Sequence, residues 1–573
     1  MAKNTKGKSR SSNNVINVNR QANDFRFGGN TNIGTADAAD DRLLSETFFD
    51  NGSLDLVMSV EAPESIVVGR TGSGKTALIE KLNEKQHRAI DINPDELALG
   101  YLVDSTLLRF FYESGIKMDM FYKLLWNHIF IVQILKVRYN IENEVTRLSI
   151  LDRFKDFLSG NKGRTEAVNY LLDWGDKFWL GTEERVKEVI NKLESQVQQS
   201  VGADAKKAMP AILDLGVKAE VKNDQKMTEE VKLEIINRGR EVVSRIQTQR
   251  IQEIVRLLDT EILQDRQKRY YITIDKLDEG WVNDDLRYHL IKSLIEVARD
   301  LNNRISNLKI VIALRRDLIA RVFEKTQDSG FQEEKFNSLY IDLRWSPREL
   351  ESLLKLRVDK MISSRPTSRQ ISMKDILPGS VNNVPPLEYL ITRTMLRPRD
   401  LIIFFNLCAK HAAGKPKIAA SDITQAEIEY SQSRLEALQY EWGTDYPNIG
   451  TLIQFMRSYP ASFTVGEISK KFRDSALELL TRKLSIQDEI YKIISDKFSD
   501  EEPNPMVESC LAVLYRIGAI GVRPVQSHTV YWSFKSQNST IPSFNVKSVY
   551  YIHPSLWATL NIKPVDSKIG IYG

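Results

Sequence analysis

The chain has 573 residues, 42% hydrophobic and 27% charged, which allows several packed domains and excludes a chain dominated by disorder. Its net charge of +4 is too small to mark a nucleic-acid binder by bulk electrostatics. The two cysteines, Cys408 and Cys510, supply neither a disulfide framework nor a zinc site, and they fit a reducing cytoplasm.

The opening MAKNTKGKSRSSNN lacks the apolar core of a signal peptide, and residues 1–25 read as a basic, disordered arm. Lys3, Lys6, Lys8, Arg10, Arg20 and the adjoining Arg26, set against Asp24, either touch nucleic acid or are simply solvated. Residues 66–68 (IVV) form a short buried-strand pattern, followed by GRTGSGKT (69–76) and then the helical pattern TALIEKLNEK. Further strands read in RAIDIN (88–93), RYYITID (269–275), LKIVIAL (308–314) and SLYIDLRW (338–345), with helical patterns between them. Strands alternating with helices predict an α/β core over residues 26–345, with a parallel sheet covered on both faces.

The gap between the second and third strands is too long for one crossover and is mostly helical. It predicts an inserted helical subdomain over about residues 98–265. Partial alternation around an Asn-Asp turn signal in residues 211–235 leaves room for a hairpin there. The most apolar stretch, LLWNHIFIVQILKV, is interrupted by Asn127, His128 and Gln133, so no membrane span is expected. Ser346 as N-cap, Pro347 at the first helical position and Glu349 three residues after the cap predict the start of a helical lid over 346–430. Residues 431–573 combine helical patterns with strand-like TVYWSF and SVYYIH, the signature of a winged-helix-like domain.

GRTGSGKT satisfies G-x(4)-G-K-[ST] in the required strand-to-helix setting. Residues Gly69, Arg70, Thr71, Gly72, Ser73, Gly74, Lys75 and Thr76 are therefore expected to bind a nucleotide. Backbone N–H groups curl around phosphate oxygens at a helix N-terminus, Lys75 neutralises the β- and γ-phosphates, and the Thr76 hydroxyl ligates Mg²⁺. A metal partner is expected in Asp275, at the end of the apolar strand before KLDEGW. Asp278 and Glu279 follow within one turn; either is placed to orient or deprotonate water, with Glu279 the first choice. Arg315 and Arg316 lie just beyond the fourth strand, where one of them is expected to sense the γ-phosphate. Arg397 and Arg399 open a lid helix from which a cation would cover the nucleotide.

Trp281 and Trp345 read as packing residues, and no histidine set has metal spacing. Lys470, Lys471, Arg473, Arg482 and Lys483 offer cations to DNA, but Glu467, Asp474, Glu478 and SDEEP weaken that reading in favour of protein interaction. The absence of a guanine-reading N/T-K-x-D element favours ATP over GTP.

GRTGSGKT, IDKLDEGW, IALRRDL, GFQEEKF, LRW and LRPRDLIIFFN, with the opener FGGN…ADAADDRLLSETF, together resemble a bacterial family of P-loop ATPases related to the AAA/STAND branch. The resemblance covers about residues 27–447. IDKLDE is also similar to the NACHT signature, in which a small residue usually follows the first acid; here that residue is Lys276. The resemblance implies an ATP-driven conformational switch that forms a homo-oligomer, with an association to phage defence. No effector motif is visible, so any effector would be a separate protein. The rival reading is a nucleic-acid-dependent ATPase, a loader or motor working through the winged helix.

Overall fold

Five strands, β1 (Ile66–Gly69), β2 (Ala89–Ile92), β3 (Tyr270–Ile274), β4 (Leu308–Arg315) and β5 (Tyr340–Asp342), form one parallel sheet in the order β2-β3-β4-β1-β5. The computed structural model describes residues 25–94, 118–139, 194–204, 206, 229–245, 250–278, 284–326, 333–364, 371–481, 488–498, 504–525, 527, 529–535 and 547–563. Side chains alternate between the two faces of a strand. Ile66, Val68, Ile272, Ile274, Ile310 and Ile312 accordingly pack into one core, while Val67, Tyr271, Val311, Ala313 and Ile341 pack into another. Both faces are buried, which is why the strands read as continuous apolar runs.

Helices Ser53–Met58 and Lys75–Lys85 cover one face of the sheet. Helices Asp284–Arg304, Arg316–Lys325 and Asp119–Tyr139 cover the other. The last of these contains LLWNHIFIVQILKV; its apolar surface is spent on packing, and Trp126 Nε1 donates to the Leu290 carbonyl at 3.0 Å. Among the described residues no helix is long and apolar enough to cross a membrane. The described parts of the insertion are mostly helical. The possible hairpin at 211–235 falls mostly outside the described residues, and its last part belongs to helix Glu229–Arg245 rather than to a strand.

The lid begins as its sequence predicts. Ser346 N donates to Glu349 Oε2 at 2.7 Å and Glu349 N donates to Ser346 Oγ at 3.2 Å, closing a capping box on helix Pro347–Ser363. Two boundaries differ from expectation. Phe25, Phe27 and Ile33 pack in the lid's apolar core rather than against the sheet, because the N-terminal segment is tied there by Gly414 N to Phe27 O (2.7 Å) and Asn406 Nδ2 to Gly34 O (2.8 Å). Helix Ala420–Trp442 runs unbroken through residue 430. Its first half buries Ile423, Ala426 and Tyr430 in the lid, and its second half buries Leu435, Leu438 and Trp442 in the C-terminal core.

The C-terminal module holds β6 (Ser462–Phe463), β7 (Ile520–Arg523) and β8 (Val549–Ile552) in the antiparallel order β6-β8-β7. Between β6 and β7 run helices Val465–Thr481, Glu489–Lys497 and Pro505–Arg516. The strand expected at TVYWSF is reduced to a single bridge from Tyr531 to Val522. Cys408 and Cys510 are free and buried, and burial pushes the Cys510 thiol up to about 12.

Candidate nucleotide-binding site

Parallel strands deliver their carboxyl ends to one edge. Gly69 pairs in register with Arg315, so the loop after β1 and the residues after β4 emerge together. Asp275 follows β3 on the same edge. The glycines make the loop possible: Gly72 has φ +77° and Gly74 φ +97°, a left-handed backbone that side chains rarely tolerate. At Gly72 a Cβ would also lie 2.9 Å from the Arg399 Cβ. Helix Lys75–Lys85 then starts with its N-terminus facing a cavity of about 380 Å³.

The Thr76 hydroxyl donates to Asp275 Oδ2 at 2.7 Å, and the Lys276 amide donates to Asp275 Oδ1 at 2.8 Å. Lys276 holds φ +60°, so the position where the NACHT pattern has a small residue is backbone-strained here. Burial raises the Asp275 carboxyl above its ordinary value against the bonds from Thr76 and Lys276. Lys75 Nζ rests on the carbonyls of Gly69 (3.3 Å) and Arg70 (3.1 Å). Burial lowers its pKa despite Asp278 and Asp275 nearby. Both groups are thus pushed toward neutrality. Among the described residues, the buried Thr71 Oγ1 and Ser73 Oγ find no hydrogen-bond partner. Such a set of underused donors around a cation suits an incoming phosphate.

Asp278 and Lys276 line the cavity with Asp275. Glu279 and Trp281 lie outside the described residues. Arg315 reaches Asp278 Oδ2 at 3.6 Å and is fixed from behind by Asp317 at 3.1 and 2.8 Å. Arg316 instead pairs with Asp342 and is 43% exposed, away from the cavity. Of the two lid arginines, Arg399 lines the cavity, donating from Nε to the Ala36 carbonyl at 3.0 Å and from its amide to Gly72 O at 3.3 Å. Arg397 does not. Its guanidinium is buried against Glu441 at 3.0 Å, the stronger attraction for a cation in an apolar junction. Arg70 also points away, its guanidinium over the Phe534 ring at 5.1 Å.

Sequence reasoning missed two contributors. Trp345, read as packing, donates from Nε1 to the Ser73 carbonyl at 2.7 Å and lies 5.8 Å from the Phe49 ring at the cavity wall. The N-terminal segment lines the same cavity through Asp37, Asp41, Phe48 and Phe49, and Asp41 is pinned by Arg357 at 2.8 Å. The available signal was the acidic and aromatic clustering in ADAADDRLLSETFF.

Comparison with known proteins adds three findings. Residues 348–439 match the FunZ-associated C-terminal helical domain, a span from the first lid helix into helix Ala420–Trp442. The putative transposon gamma-delta 80.3 kDa protein of Escherichia coli (strain K12) is 22% identical over 549 residues, 91% of this chain. The chain spans 66% of that relative's length. The Walker-type ATPase PABY2304 of Pyrococcus abyssi aligns over 90% of this chain and 95% of its own, at 10% identity and a TM-score of 0.34. The chain's own strands form a parallel α/β sheet in which the glycine loop joins β1 to helix Lys75–Lys85.

Proposed function

We propose that this chain is an ATPase that binds ATP with Mg²⁺ in the cavity between the phosphate loop, the N-terminal segment and the lid. The observation that carries the reading is the 2.7 Å contact between Thr76 and Asp275. It joins residues 199 positions apart as the hydroxyl and carboxylate that together suit one magnesium ion. When bound, Mg²⁺ would neutralise charge on the terminal phosphates. Lys75 leaves two neutral carbonyls for phosphate oxygens, and the amides of the loop donate to them. Arg315 balances charge developing at the γ-phosphate, while Asp278 or Glu279 orients water. β4 separates the strand of the phosphate loop from the strand of Asp275, which supports placement near the AAA/STAND branch.

The same reading makes nucleotide state a switch felt by the C-terminal module, in a homo-oligomer that acts with a separate effector protein, in phage defence. The module's strand order supports calling it winged-helix-like. A nucleic-acid-driven motor is the weaker alternative: helix Pro505–Arg516, which would read a groove, turns Met506, Val507, Cys510, Leu511 and Leu514 inward. Its one basic residue, Arg516, donates to the Tyr446 hydroxyl at 2.9 Å.

Equilibrium binding of MgATP and phosphate release test the site. Lys75→Ala should weaken ATP binding by about 100-fold or more. Asp275→Asn should lower turnover and raise the Mg²⁺ concentration that turnover requires. Unchanged affinity in the lysine variant would overturn the assignment.

A further inference from the structure

Three arginines that the sequence offered to the nucleotide turn away from its cavity: Arg70, Arg316 and Arg397. All three line a second cavity, of about 450 Å³, beside the phosphate loop. Gly69, Arg70 and Ser73 form one wall of it, the chain from Asp342 to Pro347 another, and residues 533–535 of the C-terminal module a third. Ser73, Leu343 and Trp345 border both cavities and so form the partition between them.

The lining of the second cavity holds five cations, Arg70, Arg316, Arg344, Arg397 and Lys535, against two carboxylates, Asp342 and Glu349. Both carboxylates are already engaged. Asp342 is shared between Arg316 and, at 2.5 Å, Arg344, and Glu349 accepts from the Ser346 amide in the capping box. Arg344 NH1 donates to the Lys535 carbonyl at 3.2 Å, which fixes the C-terminal wall against the end of β5. Arg397 is 3% exposed and gives NH1 to Glu441. Its Nε and NH2, like Arg70 NH1, are buried and find no hydrogen-bond partner among the described residues. Buried donors of a charged group are costly to leave unmet, so the surplus of cations and the orphaned nitrogens both call for an anion.

The chemistry of that anion follows from the walls. Arg316 and Arg344 are 43% and 28% exposed and present planar forks that suit oxyanions. A phosphoryl dianion answers the surplus better than a carboxylate, because it brings nearly two charges and three acceptor oxygens to donors on different walls. The cavity also has room beyond a bare ion, within the range of about 300–1,000 Å³ usual for small-molecule sites. Trp345, Phe534, Met395 and Leu396 line that remaining space, and the two aromatic rings suit a planar apolar body.

We propose that the second cavity binds a small organic phosphate, with its phosphoryl group at Arg316 and Arg344, in front of Arg70 and Arg397, and its apolar body against Trp345 and Phe534. The inference does not rest on the ATPase reading, since neither Thr76 nor Asp275 lines this cavity.

The test is calorimetric titration of the full chain with phenyl phosphate, with inorganic phosphate and benzoate as comparisons. Phenyl phosphate should bind the wild type and Lys75→Ala with affinities within about 2-fold of each other. Arg316→Gln and Arg344→Gln should each weaken it about 10-fold; if one of them does not fold, the other decides. Benzoate should bind at least about 10-fold more weakly than phenyl phosphate, and inorganic phosphate should lie between the two. Absence of saturable phenyl phosphate binding overturns the proposal. So does binding that is lost in Lys75→Ala and kept in both arginine variants, which would place the ligand on the phosphate loop. Equal affinity for benzoate overturns the phosphoryl assignment, and equal affinity for inorganic phosphate overturns the role of the apolar body. Unchanged ATP affinity in Lys75→Ala sinks the nucleotide site and leaves this one standing.

Discussion

The phosphate loop has two sides, and their charges are treated in opposite ways. On the side facing the cavity, burial drives Lys75 and Asp275 toward their neutral forms, and two buried hydroxyls find no partner among the described residues. On the side facing the lid and the C-terminal module, burial is overcome: Glu441 is held at about 2, while Arg397 is raised by Glu441 and Asp400. One side is built for charges that arrive and the other, around Glu441, for charges already present. Arg70 is the exception on the closed side. Burial, then Arg397, brings it down to about 9, and the Phe534 face gives it a weaker partner than a carboxylate.

Acid should separate the two sides most sharply. His553, fully buried in the C-terminal module, is held well below its ordinary value by burial and by Arg70, Arg397 and Arg393. The unfolded chain takes up this proton below about 6.5 and the folded chain does not. Stability therefore falls on acidification by about 1.4 kcal/mol per pH unit while that difference lasts. Glu441 adds to the same slope lower down. Its lowered pKa gives about 3 kcal/mol above pH 4.5, lost as pH falls toward 2. Asp275 has the opposite sign, since a raised carboxyl is relieved by acid. Urea unfolding followed by tryptophan fluorescence should show a weaker C-terminal transition at pH 5 than at pH 7, and His553→Gln should flatten that difference. An unaltered slope in the variant would assign the acid sensitivity to other groups.

What the sequence disclosed follows the range of the physics involved. The strands were legible because two-faced burial leaves unbroken apolar runs, as in IVV before Gly69 and YITI before Asp275. The phosphate loop and the capping box were legible because their chemistry is local. Arg316, Arg397 and Trp345 were harder, because pattern could bring them to the sheet edge or the lid start but not say which way each would turn. Asp342 draws Arg316 outward, Glu441 draws Arg397 inward, and the Ser73 carbonyl takes the Trp345 N–H. Glu441 itself gave no signal. Its contacts come from residues 315 and 397, and only packing of the shared helix unites them.

Arg399 tests how far the open side extends into the lid. Its contacts are with Gly72 and Ala36, so it fastens the glycine turn to the N-terminal segment. Arg399→Ala should weaken ATP binding by about 10-fold, equivalent to about 1.4 kcal/mol. It should leave the pH-dependent unfolding of the C-terminal module unchanged. Calorimetric titration checks the first expectation, and wild-type affinity in the variant would confine the open side to the loop and β3.

The smallest effect belongs to Ser346, which sits between the sides. It follows Trp345, whose indole holds the phosphate loop, and it begins the helix whose Arg357 pins Asp41. Ser346→Ala removes the hydroxyl that accepts from the Glu349 amide and should destabilise the lid by about 1 kcal/mol. The Trp345 bond is made by its own side chain just beyond β5, not by the cap, so ATP affinity should change by less than about 2-fold. Urea midpoints and binding isotherms on the same preparation distinguish the cases. A drop in stability with affinity retained makes the cap a lid element alone. A fall in affinity at unchanged stability would mean that the first turn of this helix transmits to the phosphate loop, and the boundary between the two sides would then run through Ser346.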